Sequence, residues 1–233
     1  MTLTLELREP DHHVVARIHA AGSGALLLDA ATGAFDNDIQ SLLLSLASKL
    51  RQRLVKTSPH EVVLGVNNLM LTFDPLQLHP RDAEALMQQL WESATPARGS
   101  GKHFDIPVTY GGPCGEDLLA LAEGAALDVD EYIRRHSSAV YTVACVGSMP
   151  GFAYMTGLPE ALSVPRRATP RMKVQKGAVI VGGSQAGVMP CAAPSGWHIV
   201  GMTDREMFDA TQDIPCLLSP GDTVRFSIKE ILA

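Results

Sequence analysis

The chain has 233 residues, of which 46% are hydrophobic and 19% charged, and its formal net charge is −6. This composition supplies a packed core and excludes a disordered chain, which needs low hydrophobicity and high net charge. The acidic balance also argues against nucleic acid as a partner, because nucleic-acid-binding domains are usually basic. No stretch approaches the roughly 18 apolar residues of a membrane span, and the acidic start (Glu6, Glu9, Asp11) is unlike a secretory signal. We therefore expect a cytoplasmic protein without a membrane partner.

The cysteines and histidines do not form a metal-binding pattern. The cysteines are isolated from one another, at Cys114, Cys145, Cys191 and Cys216. Isolated thiols are typical of a reduced, cytosolic chain, and the eight histidines show no ligand-pair spacing. No metal site is predicted.

Residues 1–94 predict a small unit of strands and helices. Alternating or continuous apolar runs predict strands at 3–7, 13–19, 25–28, 61–65 and 69–73. Apolar residues at helical spacing predict one helix from Ile39 to Leu50, capped by Asp36 or Asp38, and another from Ala83 to Leu90. This order predicts a sheet with helices packed on one face.

A polar segment rich in Gly, Ser and Pro, residues 95–101, predicts a linker to a second domain at 102–233. Beyond it we predict strands at 104–110, 141–146 and 224–228, and helices at 117–123 and 128–136. Between Gly147 and Gly201, short apolar runs alternate with Gly and Pro. That pattern indicates a β-rich domain with long, shaped loops.

The strongest local signal is a basic segment, residues 166–176. Its cations are Arg166, Arg167, Arg171, Lys173 and Lys176, and no Asp or Glu occurs from 161 to 203. Such a field attracts anions, and a guanidinium can grip a carboxylate or phosphate with two parallel hydrogen bonds. Composition alone leaves two interpretations about equally open: an anion site, or a solvated basic face or subunit contact.

Two further motifs give weaker signals. The glycines of the 182–187 segment would let backbone amides approach a ligand, but a tight turn between strands is the favoured interpretation. Ser195 is predicted to be a turn serine, because the Gly-x-Ser-x-Gly pattern of a nucleophile is absent. Trp197 is predicted to lie in the core or in a pocket wall.

The titratable residues are ambiguous by themselves. His136 ends a predicted helix, where the helix dipole favours a cation, and this structural role competes with a catalytic one. Tyr154 and His198 are acid–base candidates by residue type only. No catalytic role is predicted for Asp105, Glu116 and Asp117, which lie outside the acid-free segment.

Five short motifs follow one another between residues 147 and 203. They are Pro150-Gly151-Phe152 with Tyr154; Pro165-Arg166-Arg167 with Pro170-Arg171; Gly182-Gly183 with Gln185 and Gly187; Pro194 with Gly196-Trp197; and Gly201 with Thr203. In this order they resemble the family that contains the B-type subunit of 5-oxoprolinase, the first subunit of allophanate-hydrolase-type proteins, the carboxyltransferase region of urea carboxylase and a sporulation-kinase inhibitor. Weaker similarity extends over nearly the whole chain.

The resemblance implies an α+β fold, with a small N-terminal α/β sandwich domain followed by a C-terminal cyclophilin-like β-barrel that carries the motifs. It implies the B-type subunit of a complex that uses ATP to hydrolyse 5-oxoproline or a related small amide or lactam. The implied partner is a C-type subunit, similar to allophanate hydrolase subunit 2, with or without an A-type subunit. The chain is expected to be inactive alone.

By matching position, the resemblance also implies site residues and favours the anion-site interpretation of the basic segment. The implied catalytic residues are His136, Arg166 and Arg171. The implied substrate-binding residues are Tyr154, Arg167, Gly183, Gln185, Gly187 and Trp197. Arg166→Ala and Arg171→Ala are each expected to abolish activity of the complex while leaving the fold intact.

The chain departs from the family pattern at several loop positions, including Ser148, Met155, Met189 and Ser195. These departures point to an altered substrate or a lost activity. Two alternatives to the 5-oxoprolinase interpretation stay open. One is a carboxyltransferase-type subunit of urea or allophanate metabolism. The other is a non-enzymatic regulator that inhibits a histidine kinase.

Overall fold

A computed structural model describes residues 2–9, 12–31, 33, 35–55, 60–96 and 101–232. The chain divides into two compact units, Met1–Ser100 and Gly101–Ala233. The predicted linker spans this division, and its residues 97–100 lie outside the described ranges. Among the described residues, no helix is both long and apolar enough to cross a membrane.

The first unit is an antiparallel sheet of five strands with two helices. The strands are β1 (Thr2–Glu9), β2 (His12–Ala20), β3 (Ala25–Asp29), β4 (His60–Leu64) and β5 (Asn68–Phe73), in the order β1-β2-β3-β5-β4. The helices are α1 (Asn37–Leu54) and α2 (Pro80–Glu92). The predicted strands and helices of this segment are confirmed, each extended or shifted by a few residues. Asp36 is the cap of α1, and its side chain accepts hydrogen bonds from the amides of Asp38 and Ile39.

Alternating burial shows how this sheet packs. In β3 and β5 every second residue is buried, among them Leu26, Leu28, Leu69 and Leu71. Successive side chains of a strand point to opposite faces, so these leucines share one face of the sheet. Both helices contact the sheet, α1 at β4 and β5 and α2 at β1 and β3. The unit therefore has the predicted architecture of helices packed on a sheet.

The second unit contains a closed barrel of seven strands. They are β6 (His103–Gly111), β7 (Tyr141–Val146), β8 (Ala153–Thr156), β10 (Ala178–Gly182), β11 (Gln185–Val188), β13 (His198–Met202) and β14 (Thr223–Leu232), and their order around the barrel is β10-β11-β8-β7-β14-β6-β13. A separate two-stranded sheet joins β9 (Arg171–Val174) to β12 (Ala193–Ser195). Helices α3 (Leu118–Gly124) and α4 (Val129–Ser138) precede β7. The α+β fold class with a C-terminal barrel is confirmed.

Strand β10 contributes alternate residues to two hydrophobic cores. Val179 and Val181 belong to the main core, to which all seven barrel strands contribute. Ala178 and Ile180 alternate with them and belong to a second, smaller core with Phe152 and Trp197. Because both faces of β10 are buried, its sequence is continuously apolar. The second core lies on the outer side of the barrel wall and forms the base of the candidate site.

Candidate functional site

A cleft of about 280 Å³ lies over the second core. Its wall is made by three segments of the second unit and combines aromatic, small and cationic residues. They are Ser148, Met149, Phe152, Tyr154, Arg166, Arg167, Pro170, Met189, Pro194, Ser195, Gly196 and Trp197. The cleft thus gathers residues from several of the sequence motifs.

Three aromatic rings form the apolar part of the cleft. Phe152, Tyr154 and Trp197 meet edge to face, with ring centroids 4.9 to 6.0 Å apart. Two glycines leave room for these rings: a Cβ at Gly182 would lie 2.8 Å from the Trp197 ring, and one at Gly187 would lie 2.9 Å from Phe152. Gly182 and Gly187 therefore contribute to the cleft by letting the Trp197 and Phe152 rings pack closely against the strands.

Two hydrogen bonds, one between backbone groups and one from a side chain, hold the two rims of the cleft together. The Arg167 amide donates to the Gly196 carbonyl at 2.7 Å, and a hydrogen bond of 3.0 Å joins His198 Nε2 to the Pro165 carbonyl. The loop that carries the arginines is therefore tied to the strand that follows Trp197. His198 serves as an anchor of this loop, and it does not line the cleft.

Arg166 is the exposed cation of the cleft. Its guanidinium carbon lies 5.6 Å from the centroid of the Trp197 ring, in a cation–π arrangement. Within the part of the chain that the structure describes, Arg166 makes no ion pair. The charge of Arg166 is thus available to an anion, and the indole holds its side chain in place.

Arg167 and Arg171 differ from Arg166 because Asp117 compensates them. Arg171 donates two hydrogen bonds of 2.8 Å to the two oxygens of Asp117, and Arg167 Nη1 lies 3.1 Å from Oδ1. Arg171 also reaches Glu116 at 3.2 Å. The Arg171 side chain is 21% exposed and that of Asp117 only 10%. Arg171 does not line the cleft, and its contacts with Asp117 and Glu116 give it an architectural position. The catalytic role that the resemblance implies for Arg171 stays a prediction.

The chain fixes Asp117 tightly. Its Oδ2 accepts a 2.8 Å hydrogen bond from the Ile199 amide, and its own amide donates to the Ile199 carbonyl. Burial alone would raise the pKa of Asp117, but hydrogen bonds from Arg171 and Ile199 and the charges of Arg171 and Arg167 outweigh it and lower the pKa. Asp117 is therefore a carboxylate that ties the start of α3 to β13 and to the basic segment.

The remaining cations of the basic segment lie elsewhere. Lys176 pairs with Glu206 at 2.6 Å on an exposed surface, and Lys173 is exposed on β9. Neither lines the cleft. The five-residue cluster seen in the sequence is thus divided among three environments in the fold.

His136 is not in the cleft. It is fully buried among core rings: its Nδ1 is 2.9 Å from the Tyr110 hydroxyl and its ring stacks on Phe226 with centroids 5.0 Å apart. Burial lowers the pKa of His136 to about 3, so the imidazole is neutral at physiological pH. The structure places His136 in the packed interior and does not support its predicted catalytic role.

The glycine-rich segment is the tight turn that the sequence favours. Gly182 pairs with Gln185 at the ends of β10 and β11. Gly183 has a φ of 61°, the left-handed conformation that such a turn requires, and exchanges backbone hydrogen bonds with Val164. Gly183 and Gln185 do not line the cleft, so their predicted substrate contacts find no support in this arrangement.

Comparison with known proteins identifies the family of the chain. The family described as carboxyltransferase domain, subdomain C and D, matches residues 16–218. The chain belongs to this carboxyltransferase family. The resemblance carried by the sequence motifs is thereby confirmed.

Two relatives of the chain are named as the B-type subunit of 5-oxoprolinase. The protein from Haemophilus influenzae is 42% identical over 171 residues, which are 73% of this chain and 80% of the relative. The protein from Escherichia coli O157:H7 is 40% identical over 179 residues, which are 76% of this chain and 82% of the relative.

Solved structures agree with the fold. TTHA0988 is 29% identical with a TM-score of 0.77; the match covers 88% of this chain but only 40% of that longer chain. The urea carboxylase of Kluyveromyces lactis has a TM-score of 0.77 at 18% identity, over 97% of this chain and 23% of that one. At this identity the second likeness shows the fold alone.

Several departures from the carboxyltransferase-family pattern lie in the cleft wall. Ser148, Met189 and Ser195 line the cleft, whereas Met155 is buried in the main core. Ser148 has a φ of 70°, which is uncommon for a residue other than Gly, Asn or Asp. Three of the four departures named from the sequence thus lie in the cleft wall.

Asp117 is the site residue that the sequence interpretation missed. A sequence signal exists, because a segment with several arginines and no acid needs a carboxylate from outside it to compensate any buried guanidinium. The separation of 50 residues between Asp117 and Arg167 hid the pairing. No group of three or more His, Cys, Asp or Glu side chains able to hold a metal occurs in the described ranges.

Proposed function

We propose that the chain is the B-type subunit of an ATP-dependent 5-oxoprolinase complex and that its cleft binds the 5-oxoproline carboxylate. The observation that supports this most is the uncompensated guanidinium of Arg166 beside a wall of three aromatic rings, in a chain whose relatives are named as a 5-oxoprolinase component. A small ring that bears one carboxylate matches both halves of this wall.

Each part of the cleft has a role in this proposal. Arg166 offers two parallel N–H donors to a carboxylate, and the partly apolar surroundings strengthen that pairing relative to water. Phe152, Tyr154 and Trp197 pack against the lactam ring and orient it. These contacts position a substrate. They do not supply a nucleophile for opening the lactam.

The chemistry beyond substrate binding is assigned to the partners. Opening the lactam adds one water across its C–N bond to give glutamate, and a second water is consumed as ATP becomes ADP and phosphate. Among the described residues, the cleft wall offers a single guanidinium without an ion-pair partner. The Gly183 amide already donates a hydrogen bond to the Val164 carbonyl, so the turn has no free amide there for a phosphate. These groups therefore do not fit a triphosphate. We assign ATP use and the reacting groups to a C-type subunit, with or without an A-type subunit.

The alternative functions have less support. The likeness to urea carboxylase shows the fold alone, so a carboxyltransferase role in urea or allophanate metabolism has no residue-level argument. A kinase-inhibitor role would not need a cleft that combines a free cation with three aromatic rings packed edge to face. The 5-oxoprolinase proposal uses both features.

The test is reconstitution of the complex. The chain is co-expressed with a C-type subunit, an A-type subunit is added, and ATP hydrolysis and glutamate release are measured with 5-oxoproline. The matched control substrate is 2-pyrrolidone, the same lactam without the carboxylate. Turnover with 5-oxoproline only is expected. A stable complex without such turnover contradicts the substrate, and failure to form any complex contradicts the proposed place of the chain in it.

A further inference from the structure

We infer that Asp117 is a positioning residue that sets the charge preference of the cleft, so that ligands with one negative charge bind better than ligands with two. The inference deepens the proposed function and rests on it for the site. It concerns which anions the cleft accepts, and it depends on how the three guanidiniums of the basic segment are compensated.

The first step is the distribution of charge. Asp117 and Glu116 contact Arg171, and Asp117 also contacts Arg167. Two carboxylates thus compensate two guanidiniums, and Arg166 is left with its full charge. The other polar side chains that line the cleft, on Ser148, Tyr154 and Ser195, carry hydroxyl groups and no carboxylate. The cleft therefore presents about one net positive charge.

The second step is the coupling through Arg167, which lines the cleft and also contacts Asp117. The Arg167 backbone amide donates a hydrogen bond to the Gly196 carbonyl, so the backbone stays in place when the Arg167 side chain changes conformation. To pair with a second negative charge on a ligand, the Arg167 guanidinium would have to turn from Asp117. That movement would leave a carboxylate, only 10% exposed, with one cation fewer.

The third step is the consequence for ligands. A monocarboxylate satisfies Arg166 without disturbing Asp117. A dicarboxylate or a phosphate dianion brings a second charge into a partly desolvated site where the cations near it are already compensated, and this is unfavourable. Asp117 thus acts on the ligand through Arg167, without touching it.

The experiment measures charge preference directly. Purified full-length chain is titrated by calorimetry at low ionic strength with 5-oxoproline, which has one carboxylate, and with glutarate, which has two on the same five-carbon skeleton. The wild-type chain is expected to bind 5-oxoproline more tightly. In Asp117→Asn, which removes one negative charge and keeps the shape, the affinity ratio of glutarate to 5-oxoproline should rise about fivefold, and less at high salt.

Two further variants keep the test decisive. Glu116→Gln changes an acid whose side chain is 57% exposed and should raise the same ratio about twofold, even if Asp117→Asn does not fold. Asp105→Asn, an exposed acid paired with Arg225, should leave the ratio unchanged. A wild-type preference for glutarate, no binding of 5-oxoproline, or a ratio unchanged in a folded Asp117→Asn chain would each overturn the inference.

Failure of this inference is distinguishable from failure of the proposed function. Oxoproline-dependent turnover by the complex together with an unchanged ratio removes the role of Asp117 and leaves the 5-oxoprolinase assignment. A shifted ratio without oxoproline-dependent turnover supports the charge rule and removes the assignment of substrate.

Discussion

His136 and Arg166 lie on opposite sides of the barrel wall, although the family resemblance implies a catalytic role for both. On the inner side, His136 is fully buried, stacked on Phe226 and held by Tyr110. On the outer side, Arg166 lies over Trp197 at the edge of an open cleft. The resemblance implies a catalytic role for both His136 and Arg166, yet only Arg166 can meet a ligand without a rearrangement of the core.

The difference shows that the role of a charged side chain depends on whether its charge is already paired within the protein and on whether a ligand can reach it. The buried imidazole of His136 stays neutral, and the partly buried guanidinium of Arg171 is paired with Asp117. Arg166 has neither restriction. Among the three arginines of the basic segment, the uncompensated one is therefore the candidate for function.

The largest effect is expected on the outer side. Arg166→Ala should lower oxoproline-dependent ATP turnover of the complex by at least about a hundredfold, because the uncompensated cation of the cleft wall is lost. Arg225→Ala, which removes an exposed arginine from β14, is the matched control and should keep full activity. Equal turnover in the two variants would show that the cleft does not hold the substrate.

Arg171→Ala sharpens the contrast within the basic segment. It removes the bidentate partner of Asp117, so the free energy of unfolding measured in urea should fall by about 2 kcal/mol. The charge of the segment alone predicts an intact fold, whereas the pairing of Arg171 with Asp117 predicts lost stability. An unchanged unfolding midpoint with abolished turnover would restore Arg171 as a catalytic candidate.

The burial of His136 should make the free energy of unfolding depend on pH. The folded pKa of His136 is about 3 and its ordinary value is 6.5, so the unfolded chain binds a proton in this interval that the folded chain does not. The free energy of unfolding should therefore fall as the pH falls from 6.5 to about 5, by about 1–2 kcal/mol.

The variant His136→Phe should lack this part of the pH dependence, whereas His103→Gln, an exposed histidine, should keep it. The interval separates His136 from Asp117, whose lowered pKa places its own loss of stability at more acidic pH. A wild-type profile that is flat between pH 6.5 and about 5 would place His136 in a solvated environment.

The smallest effects distinguish the two glycines with implied substrate contacts. Gly187→Ala should lower the free energy of unfolding by about 1–2 kcal/mol and weaken 5-oxoproline binding, because a Cβ there meets Phe152 at 2.9 Å. Gly183→Ala has open space and should cost only about 1 kcal/mol for its φ of 61°, with binding unchanged. Lost binding in Gly183→Ala would indicate that the turn contacts the ligand.

The fold could be predicted well because its signals are local. Alternating leucines, capped helical runs and Gly- and Pro-rich connections identified nearly all long elements, and the motif order identified the barrel. The site was predicted in part. Arg166, Tyr154 and Trp197 do line one cleft, but the choice among the arginines depended on Asp117, about 50 residues away. Burial of His136 depended on ring packing from three strands and was likewise invisible in the local sequence.

The parallel pairing of β6 with β14 determines when the barrel can close during synthesis of the chain. Thr223 pairs with His103, 120 residues earlier, so the barrel cannot close until its last strand has left the ribosome. The sheet of residues 2–73 pairs nearby strands and is complete far sooner. Non-local closure is slow and leaves strand edges open meanwhile. Since the cleft is built on the barrel wall, it can take its final shape only after strand β14 has been synthesised.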